Sequence, residues 1–273
     1  PCLLAKKVTE YIHYIDSIDK NSDLKDYPRA PECYYQGYAS RNSDRLVVFA
    51  QLYTVYKGCS GGNTRLVGTN IVAAENSEVS MAYYDGHMKM FNYLNRTPMG
   101  KGVNTSLHAG EMTLGLVRPE NLDSHIRKAV YTAKAKRISH GVDIAFEPGS
   151  VSLLQEMKRK KVAVEINLVS NEFILGVKES AQPFLLYRKA GVPTVISTND
   201  PGILRTNLTQ QYVLLTLRYG IDYYGVKELV RNSIRYGFMP DGIKQDLMRK
   251  LEPRLTDFEK KWGQNITIIQ NWK

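Results

Sequence analysis

Three short segments carry the side chains with the clearest chemistry. Ser106-Leu107-His108-Ala109-Gly110-Glu111 sets an imidazole and a carboxylate on either side of two small residues. Arg137-Ile138-Ser139-His140-Gly141-Val142 supplies a second imidazole ahead of a glycine, and Ser197-Thr198-Asn199-Asp200-Pro201 an amide and a carboxylate ahead of a proline. A neutral imidazole suits Zn²⁺, and a carboxylate near a metal but not on it can shuttle protons. Ala109-Gly110 allows a ligand close to the backbone. HAGE alone is a weak match, so the weight falls on how the three segments are placed together. Cys2, Cys33 and Cys59 form no CxxC and are too few for a disulfide scaffold or a thiolate zinc cluster. His87 and His125 lie inside amphipathic stretches and read as helix-surface or packing residues.

The elements that would position these groups follow a rhythm from residue 65 onward. Apolar runs at Leu66–Val72, Thr105–Gly110, Arg137–Val142, Val162–Leu168 and Thr194–Thr198 are rich in Val and Ile. They recur at the spacing of βα units in a parallel sheet. Met81–Leu94, Asn121–Ala135, Val151–Lys160 and Phe184–Ala190 read as crossover helices, and 207–262 as helices broken near Tyr219-Gly220 and Met239-Pro240. Polar residues fall at or just past the ends of the runs: Glu75, His108, Glu111, His140, Ser170, Asn171, Asn199 and Asp200. Parallel α/β folds, the (β/α)8 barrel above all, carry their chemistry there. Within VAVEINL, Ala163, Glu165 and Asn167 share the face opposite the aliphatic residues, as a polar barrel interior or a partly exposed sheet face would require.

The chain has 273 residues, with 37 Lys+Arg against 27 Asp+Glu for a net charge of +10, and 43% apolar residues. That is a globular composition, long enough for one large α/β domain. No stretch approaches the roughly 20 apolar residues that span a bilayer, so the expected chain is soluble, and no compartment is assigned. The basic clusters Lys134/Lys136/Arg137 and Lys158–Lys161 each close an expected helix, where cations suit the helix dipole. No nucleic-acid module accompanies them, and polyanion binding ranks last among the readings. Residues 1–43 read as an irregular N-terminal segment, loop-like over Lys20–Ser40, and 44–273 as the barrel portion with its helical tail. Only Tyr11–Ile15 and the helix-like Asp44–Tyr56 offer a further βα unit. The expectation is an α/β TIM-barrel-type sheet without its first two or three βα units in this chain.

The order and spacing of the three segments, with VGTNIVAAEN upstream and EINLVSN between, resemble the adenosine/AMP deaminase family of zinc-dependent (β/α)8 hydrolases, over about Leu46 to Tyr236. The resemblance implies His108 as a zinc ligand, Glu111 as the acid toward purine N1, and His140 as the base for the zinc-bound water. It implies Asp200 at purine N7, and Ala73, where the family commonly has Gly, near N3; Gly110 joins them through close approach. Asn199 falls at the family's zinc-ligating aspartate. The family's HxH pair has no counterpart among the five histidines, His13, His87, His108, His125 and His140. The resemblance therefore implies hydrolysis of adenosine or a related adenine nucleoside to inosine and ammonia if an N-terminal fragment or partner chain supplies HxH. The alternative is a catalytically inactive purine-binding or scaffold protein.

Overall fold

The computed structural model describes residues 33–61 and 65–263. The sheet has six parallel strands in sequential order: β1 (Tyr35–Ser40), β2 (Leu66–Val72), β3 (Asn104–Ala109), β4 (Arg137–His140), β5 (Ala163–Ile166) and β6 (Thr194–Ile196). The helices that follow the first five strands are α1 (Arg45–Cys59), α2 (Glu78–Arg96), α3 (His125–Tyr131), α4 (Ser150–Lys160), α5 (Leu168–Leu175) and α6 (Phe184–Ala190). After β6 come α7 (Pro201–Leu204), α8 (Leu208–Tyr219), α9 (Tyr223–Arg235) and α10 (Asp241–Gly263). The helix breaks expected at Tyr219-Gly220 and Met239-Pro240 are present. Gly220 ends α8 at φ 62, and Pro240 precedes α10. Helix starts are fixed by side chains: Asp44 accepts from Leu46 N–H, Ser77 from Ser80 N–H and Asp222 from Gly225 N–H.

The segment read as irregular contains a strand. β1 lies at 35–40, inside the stretch expected to be loop-like, and with α1 it forms the one further βα unit that Asp44–Tyr56 had offered. YQGYAS lacks Val and Ile, so the usual strand signal is missing. Gly37 serves packing, since a Cβ there would lie 2.6 Å from a Val55 methyl of α1. Tyr11–Ile15 falls outside the described residues.

One core lies between the sheet and its helices, with Leu52, Tyr56, Phe91, Leu107, Ile138, Leu153 and Phe184 fully buried. The other face of the strands is polar. Glu165 on β5 accepts from Ser106 Oγ of β3 at 2.8 Å, from Arg137 Nε of β4 at 2.6 Å, and from Ser139 Oγ. Burial pushes the Glu165 carboxyl up, but the Arg137 charge and the two serine hydrogen bonds outweigh it and hold it at about 2. This is the polar interior that the alternation in VAVEINL had left open. Below it, Phe238 lies against Gly68 and under the Arg137 guanidinium, 4.0 Å from the ring centroid. Among the described residues no helix is long and apolar enough to cross a membrane.

Candidate functional site

The carboxyl ends of the strands surround a cavity of about 630 Å³ whose walls include Ala73, His108, Glu111, Asn199 and Asp200. These five sequence-predicted residues come from the ends of β2, β3 and β6, so the fold gathers what the chain spreads over 128 positions. Tyr38, Leu116 and Ile174 give it apolar wall, the usual mixture for a small-molecule cleft.

His108 sits near the end of β3. Its Nδ1 lies 3.2 Å from Asn70 Oδ1, which also accepts the His108 backbone N–H. An amide oxygen only accepts, so Nδ1 carries the proton and Nε2 keeps its lone pair. Burial, then the neighbouring His140 and Arg41, push the imidazole down to about 3, so it is neutral.

His140 ends β4 at φ 75, a left-handed conformation that His tolerates better than most residues. It is fully buried and lies behind the cavity wall. Its Nδ1 is 2.8 Å from Asn171 Oδ1 and 3.4 Å from Asn167 Nδ2, and the shorter contact, to an oxygen that only accepts, puts a proton on Nδ1. Its Nε2 faces Glu111 Oε1 at 3.4 Å. Both atoms are buried and have no other hydrogen-bond partner. Burial raises the Glu111 carboxyl, Glu75 adds to the rise, and His140 opposes it. The pair is thus a carboxyl group on the cavity wall, pushed up by burial, with an imidazole nitrogen behind it.

Glu75 organises the HAGE turn. Its carboxylate accepts from Gly110 N–H at 3.0 Å, from Glu111 N–H at 2.8 Å and from His125 Nδ1 at 2.6 Å. Burial pushes it up, yet the hydrogen bond from His125 and the charge of Arg41, 3.7 Å away, bring it down to about 2. Gly110 therefore spends its N–H on Glu75. Its special property is the missing Cβ, which would fall 2.4 Å from Asp143 Oδ1. Asn199, at φ 56, donates from Nδ2 to Ser170 Oγ at 2.9 Å. Asp200 is exposed beside it.

Sequence reasoning missed Arg41 and left His125 open between a helix-surface and a packing residue. Arg41 follows β1, is fully buried, and donates from Nη2 to the carbonyls of Ile71 and His108 at 3.1 and 2.5 Å. It ties together the ends of three strands. Its only sequence signal was a lone cation at the end of an unrecognised strand. His125 is a packing residue, as one branch of that reading had it: it stacks on Tyr84 at 3.6 Å between centroids and pairs with Glu75.

The combination defines a class: a TIM-barrel-type α/β chain with a polar pocket at the strand ends where such barrels carry their chemistry. A family model for adenosine deaminase matches residues 7–253, and the chain belongs to that family. An adenosine deaminase of Clostridium perfringens is 25% identical over 195 residues, covering 71% of this chain and 54% of that protein. One from Enterococcus faecalis is 31% identical over 148 residues, covering 54% and 40%. The chain thus spans about half the length of these relatives or less. Among solved structures, the N6-methyl-AMP deaminase of Arabidopsis thaliana superposes with a TM-score of 0.63 at 20% identity, over 81% of this chain and 59% of that one. An amidohydrolase of Burkholderia ambifaria with bound zinc does so with a TM-score of 0.63 at 15% identity, over 83% and 57%.

These neighbours share the fold. A zinc site does not follow from the described residues, among which no three His, Cys, Asp or Glu side chains converge. His108 offers one imidazole nitrogen and Asn199 a neutral amide, fewer than the three protein ligands of a catalytic zinc.

Proposed function

We propose that the 630 Å³ cavity binds an adenine nucleoside or its nucleotide, and that this chain supplies the acid–base part of a deaminase site. The observation that carries the reading is the Glu111–His140 pair. A buried carboxyl group on the cavity wall, pushed up by burial and backed by an imidazole nitrogen 3.4 Å away, is suited to protonating a ring nitrogen and recovering the proton. On this reading Glu111 meets purine N1, Asp200 meets N7 and the Ala73 backbone lies near N3. Water adds at C6 as Glu111 protonates N1, one water proton passes to the C6 amino group, the C6–N bond breaks to release ammonia, and the remaining hydroxyl proton at C6 returns to Glu111 as inosine forms.

Activation of that water requires donors beyond those described here. An N-terminal fragment or partner chain carrying the HxH pair would provide them. The turn of Asn199, with its amide nitrogen on Ser170 where the family has a ligating aspartate, favours a second reading. In that reading the pocket holds a purine without turning it over.

The test is ammonia release from adenosine and AMP by the full native protein, alongside calorimetric binding of inosine. Turnover lost on the order of a hundredfold or more in Glu111→Gln, as expected for removal of a general acid, supports the deaminase reading. In that case substrate affinity should fall with rising pH along a limb that Glu111→Gln abolishes. Inosine binding without ammonia release supports the purine-binding reading. Absence of both overturns the assignment of the cavity.

A further inference from the structure

A second cavity, of about 650 Å³, opens at the opposite end of the strands. Its walls include Asn104 at the start of β3, with Lys136 and Val162 immediately before β4 and β5. It is therefore separated from the first cavity by the length of the sheet, and nothing in the deaminase chemistry uses it.

Its walls are strongly cationic. Lys134, Lys136, Lys160, Lys161, Arg235 and Lys244 all line it. These residues come from the end of α3, the end of α4, the end of α9 and the first turns of α10, so two basic runs that look like separate helix ends in the sequence converge on one concavity. Asp241 is the only acidic residue among the lining residues, and Lys244 Nζ already pairs with it at 3.3 Å. Lys160 pairs outward with Glu156 at 2.9 Å. The other four cations have no carboxylate partner among the described residues within salt-bridge distance. Lys136 Nζ donates to Asn104 Oδ1 at 2.7 Å, a neutral partner that leaves the charge unbalanced. Burial and the charge of Lys244 lower the Lys136 ammonium, a mark of cations crowded without anions.

Like charges held together around a concave surface create a positive potential that concentrates anions. The shape selects among them. A half-open hollow of about 650 Å³ is the size of a small-molecule site, whereas a polymer needs a track that continues along the surface. The spread of the cations over four elements requires a ligand with several negative groups at once. Tyr236 and Phe238 in the same wall offer aromatic surface.

We propose that this cavity at the amino ends of the strands is a binding site for a small polyphosphorylated anion, of the class of nucleoside di- and triphosphates. It stands independently of the purine pocket.

The experiment is calorimetric titration of the full protein with inorganic tripolyphosphate and with ATP. The variants are Lys134→Glu and Lys161→Glu, with Lys89→Glu as a control of equal charge change on the exposed face of α2. All three side chains are solvent-exposed, and because Lys134 and Lys161 hold left-handed backbone at φ 59 and 56, circular dichroism and a melting curve check that each variant folds. The expected result is saturable binding of both probes, weakened about tenfold or more by either cavity variant and within about twofold of wild type in Lys89→Glu. Equal weakening in all three variants means a response to net charge alone and overturns the proposal. So does binding of heparin or RNA that tripolyphosphate fails to displace, which would make the surface a polymer site. Absence of binding of either probe near physiological ionic strength also overturns it.

Discussion

Replacing Glu75 by Gln should destabilise the protein by about 3 kcal/mol at neutral pH, and the loss should fade in acid. The side chain is 1% exposed and accepts from two backbone N–H groups and His125 beside Arg41. Gln keeps the shape but places an NH₂ where a carboxylate oxygen accepted, leaving a backbone donor unsatisfied and the Arg41 charge without its anion. The gap between the ordinary carboxyl value of 4.5 and about 2 here corresponds to about 3 kcal/mol at about 1.36 kcal/mol per pH unit. The folded-state value is depressed, so the contribution is complete above the unfolded value and is lost as pH falls from about 4.5 toward about 2. For a chain of this size that is a fall of about 6–12 °C in Tm at pH 7. Urea denaturation of wild type and Glu75→Gln at pH 7, 5, 4 and 3 measures the difference. A variant within about 0.5 kcal/mol of wild type at pH 7, outside the range expected for a buried charged network, refutes the reasoning. So does a difference that stays constant down to pH 3.

His87 is 1% exposed with neither ring nitrogen hydrogen-bonded, and burial, with Arg41 nearby, pushes it down to about 4. The unfolded chain then binds the proton more readily, so wild type should lose about 2 kcal/mol between pH 7 and pH 5 through this group. His87→Leu should flatten that slope, and equal slopes would show that the imidazole is solvated. Gly110→Ala would put a Cβ on Asp143 at φ 76 and should cost about 2 kcal/mol or more. Its denaturation midpoint reads this directly, and a midpoint unchanged from wild type would contradict the close packing.

Much of the fold was legible because the chain advertises it. Short apolar runs, with Val or Ile in all but β3, mark β2 to β6, Gly220 and Pro240 mark the breaks in the tail, and the polar residues after each run mark the cavity end. β1 was not legible, since YQGYAS has no β-branched aliphatic residue and its glycine serves packing against Val55. The cavity wall of His108, Glu111, Asn199 and Asp200 could be named in advance. What holds it could not. Glu75 and His125 are 50 residues apart and Arg41 and His108 are 67 apart, and no local pattern links a helix-borne histidine or a lone arginine to a distant carboxylate or carbonyl. The cationic cavity was hidden for the same reason. Each basic run has a sufficient local explanation as a helix end, and only the packing of α9 and α10 beside them shows the charges facing one space.

The backbone explains why the cavity residues stand where they do. Ala73 at φ 84, Gly110 at φ 76, His140 at φ 75 and Asn199 at φ 56 lie at or just beyond the ends of β2, β3, β4 and β6. A left-handed residue interrupts the pleat, so the side chains that follow turn across the mouth of the sheet instead of continuing its alternation. For the three that are not glycine this costs about 1–2 kcal/mol each. The cost is offset locally: Asn199 by the amide bond to Ser170, His140 by Asn171, and the HAGE turn by both oxygens of Glu75. Ala73 has no such anchor and stands exposed on the cavity wall. Of the four, it is the conformation with least local support, and in the proposed purine complex it is the one a bound ring would itself help to hold.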